Sequence, residues 1–545
     1  MSAMYLRLSL PPRADAPSPG VETRPAELER WLAGLPILNT AETTQLVSRQ
    51  LLGLNRTVID DPTRVRLLEL FRAPVHALCQ ELPKAYLGLP QPLPDRARQV
   101  ANQVRLLLTE MAYGYKLIAF NSTAIPKIED ADKPLLTLVL HRGIRYLTEQ
   151  LFRGYELYSP PAEGVWYEIH QLYRYAELLG ITDAPVDDPL NTLAPHNSIS
   201  AAYKQALLLD FSDPFHLPGR MLAKISRYLD RYAALAQLSP GIVALKSQCQ
   251  FLINLDNDRA GAVNTEASPI TTEVRYRLLN TTDLARLIHQ QLLVLQAGQT
   301  PDPDGLEKDF FVQFGQDLLV RMIQAWGVNP KRVYTRTLRE NVRHDIVFGV
   351  DAINYFVNGG ERFKPSTNEV GPTPRSVKAG TSAGAAPRTP VPETAPASSA
   401  WDLIDESAGG YALTRSGGSS DPVRVGDLLA SRPQGGRGWE IGVVRWVRTS
   451  GVDNVEMGVQ RLSPAVAAVA VLPIDDHAAR YALALELPEV KPMKQPATLI
   501  TERGCFKPNR IFSLDNGYRT RQIKAFRLVE LTGAFERFQY EYIDR

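Results

Sequence analysis

Residues 401–413 read W-D-L-I-D-E-S-A-G-G-Y-A-L, and the fold of the C-terminal half turns on this stretch. Asp405, Ser407 and the pair Gly409 and Gly410 form a polar, sharply turning core set between apolar residues. Glycine at its end permits the φ > 0 backbone that brings a turn close to a bound group. A hairpin closed by an ordinary Asx or Ser turn is the plain alternative.

Downstream, I-G-V-V-R-W-V-R, V-E-M-G-V-Q-R-L, A-T-L-I-T-E-R and R-Q-I-K-A-F-R-L-V-E-L are short, rich in β-branched and aromatic residues, and separated by Gly, Asp and Asn. They read as antiparallel strands, as does R-H-D-I-V-F-G-V-D-A-I-N-Y-F-V upstream, and their spacing suggests barrels. Between the two sets, residues 364–398 carry Pro, Ala, Ser, Thr and Gly with almost nothing to bury. A disordered linker is expected there.

The N-terminal part has a different period. From Asp95, the positions Val100, Val104, Leu107, Leu108 and Met111 recur at three- and four-residue steps, the stripe of a packed helix. Similar patterns cover 27–35, 41–54, 135–155, 165–179, 199–209, 221–236, 282–295 and 307–327. One of them, W-Y-E-I-H-Q-L-Y from Trp166, has the outline of a tetratricopeptide helix, but no 34-residue repeat accompanies it. The fold expected is multidomain α + β. An all-α array or bundle spans 1–327 with a short strand pair near 249–280; a β-barrel spans 328–363 plus 399–475; a small β extension spans 476–545.

Composition excludes whole classes. The chain has 545 residues and a formal net charge of +2, from 61 Lys and Arg against 59 Asp and Glu, which argues against bulk binding to nucleic acid or membrane. Cys79, Cys249 and Cys505 are scattered without metal-ligand spacing and read as reduced thiols. There is no signal sequence and no run of 18 apolar residues, so a cytoplasmic location is expected. The histidines show no metalloenzyme spacing; His344-Asp345 is an isolated pair, and His170 on its helix reads as structural. Phosphate loops and nucleophile elbows are also absent, so no catalytic residues, metal or cofactor are assigned.

Before the linker, K-R-V-Y-T-R holds Lys331, Arg332 and Arg336. Arg332-x-x-x-Arg336 followed by Asp405-x-Ser407-x-x-Gly410 resembles the motif pair of the PilZ domain, the bacterial receptor module for cyclic di-GMP. The resemblance covers about 329–363 and 399–473, with the linker as an insertion, and implies a six-stranded barrel. It also implies a ligand site of Lys331, Arg332, Arg336, Asp405, Ser407, Gly409 and Gly410. The chemistry agrees: guanine offers O6 and N7 to the parallel donors of Arg, worth roughly 1–3 kcal/mol of discrimination, and Asp405 can accept from its N1–H and amino group. RxxxR recurs at Arg339/Arg343, a substitute pair, and at Arg227/Arg231 on a helix.

The function implied is a cyclic di-GMP effector whose ligand changes domain arrangement or the binding of a protein partner, met through the helical domain. A degenerate adaptor working only through protein contacts is the rival. A third reading places nucleic acid on the C-terminal unit, where Arg503, Lys507, Arg510, Arg519, Arg521, Lys524 and Arg527 interleave with Phe506, Phe512, Tyr518 and Phe526; the lack of any RNA-motif signature argues against it.

Overall fold

The structure is a computed structural model that describes residues 6–543 except 13, 15–19, 126, 195, 242–248, 265–274, 302–305, 307–309, 312–314, 328–334, 367–394, 417–421, 452, 476–478 and 490–495. The linker expected over 364–398 lies mostly outside the described residues. The chain divides into two compact units, Met1–Arg332 with Arg448–Ser450, and Val333–Val447 with Gly451–Arg545.

The first unit is helical. Its helices are α1 (Pro25–Ala33), α2 (Thr40–Arg56), α3 (Asp61–Glu81), α4 (Asp95–Ser122), α5 (Lys133–Glu156) and α6 (Val165–Leu179). After the strand pair β1 (Val186–Asp187) and β2 (His196–Asn197) come α7 (Ile199–Phe211) and α8 (Gly219–Tyr232). Side-chain caps start them where sequence places an acceptor: Asp60 Oδ1 accepts from Thr63 N at 2.9 Å before α3, and Ser198 Oγ from Ala201 N at 3.1 Å before α7, each satisfying an orphan N–H. The stripe on α4 is core, with Val104, Leu107, Leu108 and Met111 buried. His170 is a satisfied core group, bonded to Tyr203 and to the Arg259 carbonyl, and burial pushes its pKa down to about 4.

The expected strand pair near 249–280 is a four-stranded sheet in the order β3 (Gln237–Pro240), β6 (Tyr276–Asn280), β4 (Gln250–Asn254), β5 (Ala262–Val263). α9 (Thr282–Gln296) and α10 (Gly315–Trp326) follow. Among the described residues no helix is long and apolar enough to cross a membrane.

The second unit holds two antiparallel barrels. The first consists of β8 (Arg343–Phe348), β9 (Ser399–Ser407), β10 (Gly410–Ser416), β11 (Leu428–Pro433), β12 (Glu440–Ser450) and β13 (Asn454–Ser463). Pairing runs β9–β10–β13–β12–β11–β8 and returns to β9, with the short β7 (Thr337–Leu338) added on β9. The second is a closed six-stranded barrel of β14 (Ala467–Pro473), β15 (Ala482–Leu487), β16 (Thr498–Thr501), β17 (Ile511–Asp515), β18 (Thr520–Leu531) and β19 (Glu536–Tyr542).

Two sequence readings are corrected here. Residues 467–473, placed in the first barrel by the boundary at 475, form β14, which pairs with β15 and β17 of the second. V-D-A-I-N-Y-F-V is not strand: after β8, Gly349 takes φ +83° and the chain enters α11 (Val350–Val357). Val350 and Ile353 of that helix are buried in one core with Leu428 and Ile441 of the first barrel and Leu485 and Ile500 of the second. Asn354 Nδ2 donates to the carbonyls of Val469 and Ala484 at 3.0 and 2.9 Å. The helix is thus anchored on strand carbonyls of the second barrel.

Candidate ligand-binding site

β9 is the spine of the site. Its buried residues Ser399, Trp401 and Leu403 alternate with outward ones, so continued alternation would place Asp405 on the core face of Leu403. Ile404 prevents this. Leu403 stands opposite Leu413, yet Asp405 stands opposite Ala412, and such a bulge resets the phase of every later side chain. Asp405 thereby leaves the face of Leu403 and pairs instead beside Leu338 of β7.

Three arginines of the segment before and within β8 reach this strand, each to a different carboxylate. Arg336 Nη1 donates to both oxygens of Asp405 at 3.1 and 3.0 Å. Arg339 Nε donates to Glu406 Oε1 at 2.8 Å, and Arg343 Nε to Asp402 Oδ1 at 2.8 Å. Arg336 and Asp405, 69 residues apart in the chain, therefore meet at one end of one barrel. The substitute pair Arg339/Arg343 is engaged on the flanking carboxylates, and Arg336 alone of the three meets Asp405. Lys331 and Arg332 lie outside the described residues.

The turn after Asp405 is tight, with Ser407 opposite Gly410 and Ser407 Oγ donating to the Gly410 carbonyl at 3.2 Å. The left-handed backbone expected at Gly409 and Gly410 is not adopted. Gly410 answers a different requirement: a Cβ there would fall 2.1 Å from the Val459 carbonyl oxygen of β13. Glycine allows the strands to close, where left-handed freedom was expected.

Sequence reasoning missed Arg461 on β13. Its Nη1 donates to the Ser407 carbonyl, its backbone N–H to the Gly409 carbonyl at 3.1 Å, and its Nη2 and Nε to Glu406 and Glu440 at 3.2 Å each. Its guanidinium also lies over the Tyr411 ring, 5.2 Å from the centroid. Arg461 thus clamps the turn that carries the motif. Hydrogen bonds from Arg339 and then Arg461 hold the Glu406 carboxyl below its usual range, while burial pushes Glu440 upward. In V-Q-R-L nothing local distinguishes this arginine from a solvated strand residue; only the register across β10 gives it meaning.

The C-terminal barrel commits some residues of the nucleic-acid reading to its own structure, while Tyr518 and Phe526 stay exposed, at 93% and 48%. Phe512 is fully buried and Phe506 packs on its core. Arg510 pairs with Asp475 at 2.8 Å, and Lys524 lies 3.8 Å from Glu541.

Three family models match in succession. "Cyclic-di-GMP receptor FimW, N-terminal domain" covers residues 26–241. "Cyclic-di-GMP receptor FimW, middle PilZ domain" covers 250–380 and 372–467. "FimW C-terminal beta-barrel domain" covers 467–543, beginning at the first residue of β14. The Cyclic-di-GMP receptor FimW of Pseudomonas aeruginosa is 26% identical over 578 aligned positions, spanning 95% of this chain and 90% of that protein. With the helical part, the middle barrel and the C-terminal barrel all matched in order, the chain belongs to the FimW family of PilZ-domain proteins.

Proposed function

We propose that this protein is a cyclic di-GMP effector that binds the nucleotide at the Arg336–Asp405 end of the middle barrel. The observation that carries this reading is the contact of Arg336 with both oxygens of Asp405, because a guanine edge can replace each partner for the other. Its O6 and N7 accept from a guanidinium, and its N1–H and amino group donate to a carboxylate. The existing pair is weak enough to yield. Arg336 is 45% and Asp405 15% exposed, and such water-screened pairs contribute at most about 1 kcal/mol, against roughly 1–3 kcal/mol for a bidentate base contact.

Ser407 and the backbone at Gly409 and Gly410 complete one jaw of this site. Lys331 and Arg332, preceding Arg336, supply the other with charge for the phosphates. Arg461 positions the turn and does not itself touch the nucleotide. Ligand binding then changes the arrangement of the chain's parts or its hold on a protein partner met through the helical unit, in the cytoplasm. The role is binding and not turnover. Among the described residues no group of three His, Cys, Asp or Glu could hold a metal ion.

Calorimetric titration tests the reading. Cyclic di-GMP should bind with micromolar affinity or better, about −8 kcal/mol, and cyclic di-AMP far more weakly, since adenine presents an amino donor where guanine presents O6. Equal binding of the two overturns the site, and heat from neither leaves the adaptor reading in its place.

A further inference from the structure

A leucine stands open to solvent beside the proposed nucleotide site. Leu338 is 78% exposed and neither residue of β7 is buried, so this strand gains little from covering apolar surface. Hydrogen bonds fix it instead. Its two residues pair with Glu406 and Asp405 of β9, the Arg339 N–H donates to the Ile404 carbonyl at 2.9 Å, and the Arg339 side chain is tied to Glu406 at 2.8 Å. A polar residue at position 338 would serve that ladder equally, since the ladder uses backbone groups alone. What the leucine adds is an apolar surface held in place, and removing such surface from water is favourable in proportion to its area.

The neighbours of Leu338 indicate what covers it. Leu338 is the cross-strand partner of Asp405, and directly opposed residues share one face of a sheet, with Cβ atoms about 4.5–5.5 Å apart. Arg336, two residues earlier, reaches the same carboxylate, its Nη1 lying 3.1 and 3.0 Å from the two oxygens. The residues between and after behave as strand alternation requires: Thr337 stands opposite Glu406, and Arg339 bonds to that glutamate. One face therefore presents Arg336, Asp405 and Leu338 together, a donor, an acceptor and an apolar surface. Proteins that read an unstacked base combine these same elements, with hydrogen bonds to its edge and apolar contact on its face.

From this juxtaposition we infer that Leu338 contacts the ligand, its side chain packing against the face of the guanine whose edge Arg336 and Asp405 read. The inference rests on the nucleotide reading of that site and adds a residue that neither half of the motif contains. Leu338 cannot choose among bases by hydrogen bonding. It contributes affinity for the flat ring, while Arg336 and Asp405 supply the selection.

Two measurements on the full chain test this role. In the parent protein, isotope-labelled methyl groups of Leu338, assigned by their loss from the spectrum of Leu338→Met, should move upfield on adding cyclic di-GMP, because a base shields groups lying over its ring plane. By calorimetry, Leu338→Ser should weaken cyclic di-GMP at least about tenfold, with the melting temperature preserved as expected for an exposed side chain. Leu338→Met, which keeps an apolar side chain of similar volume, should stay within about threefold of the parent. Should Leu338→Ser melt early, Leu338→Thr, better suited to a strand, gives the same comparison. Unmoved methyl signals at saturation, undiminished affinity in the folded polar variant, or an equal loss in Leu338→Met overturns the role of Leu338 and leaves the nucleotide reading standing. No binding by the parent overturns that reading, and this role with it.

Discussion

Arg336 is paired at the surface, so its removal should be felt by the ligand and hardly by the fold. Arg336→Ala is expected to weaken cyclic di-GMP by about 1–3 kcal/mol, roughly 5- to 150-fold, with the melting temperature almost unchanged; calorimetry and thermal unfolding together check both halves. Arg227→Ala, from the RxxxR copy on α8, should leave nucleotide affinity alone. Gly410→Ala should be felt by the fold itself. A Cβ 2.1 Å from the Val459 carbonyl forces β10 from β13, and a loss of about 1–3 kcal/mol is expected in chemical denaturation. At this scale the sequence was legible wherever chemistry is local. Asp405 and Arg336 could be named because the two patterns that hold them, taken together, resemble the PilZ motif pair, and a carboxylate and a guanidinium suit the two edges of guanine. Arg461 could not, since its partners lie at Ser407, Gly409, Glu406 and Glu440 and come together only through strand pairing.

At the scale of elements, periodicity found most helices and several strands, and its failures have physical causes. α3 was passed over because Pro74 interrupts its pattern; a proline forfeits one helical hydrogen bond, and here Phe71, Val75 and Leu78 still bury their side chains around it. α11 was taken as strand because V-D-A-I-N-Y-F-V suits either state, and only its seat between two barrels decides. The turn leading into β11 offers a test by pH. Asp427 Oδ2 accepts from Arg424 N at 2.7 Å, and burial raises its pKa to about 6, above the usual value near 3.9 of an unfolded Asp. An acid so raised costs nothing while protonated; the cost appears as pH rises from about 4 and is complete above about 6. Asp427→Asn, which keeps an acceptor for Arg424, should therefore melt higher than the parent at pH 7–8, by about 1 kcal/mol after allowing for its partial exposure. The difference should vanish near pH 4, and a constant gap across that range would contradict the assignment.

For the whole molecule, the order of helical part, barrel and second β unit could be read from changes of period, whereas the junction at 467 could not. Only 464–466 separate β13 from β14, too few residues to carry a linker composition. If the nucleotide bridges the arginine segment to β9, amide exchange over 335–345 should slow on adding saturating cyclic di-GMP; unchanged protection would mean that this segment is not a jaw of the site. Replacing 367–394 by a Gly/Ser sequence of equal length should leave affinity intact, because the proposed grip draws no residue from it, and calorimetry checks this directly. α11 carries a further implication for descent. Because Asn354 donates to Val469 and Ala484, a recombination event that moved the middle barrel alone into another gene would deliver a helix whose buried amide had lost both acceptors. Selection should accordingly keep the two barrels adjacent and inherited together, and a relative lacking the second would need an apolar residue, or a new pair of carbonyls, where Asn354 now stands.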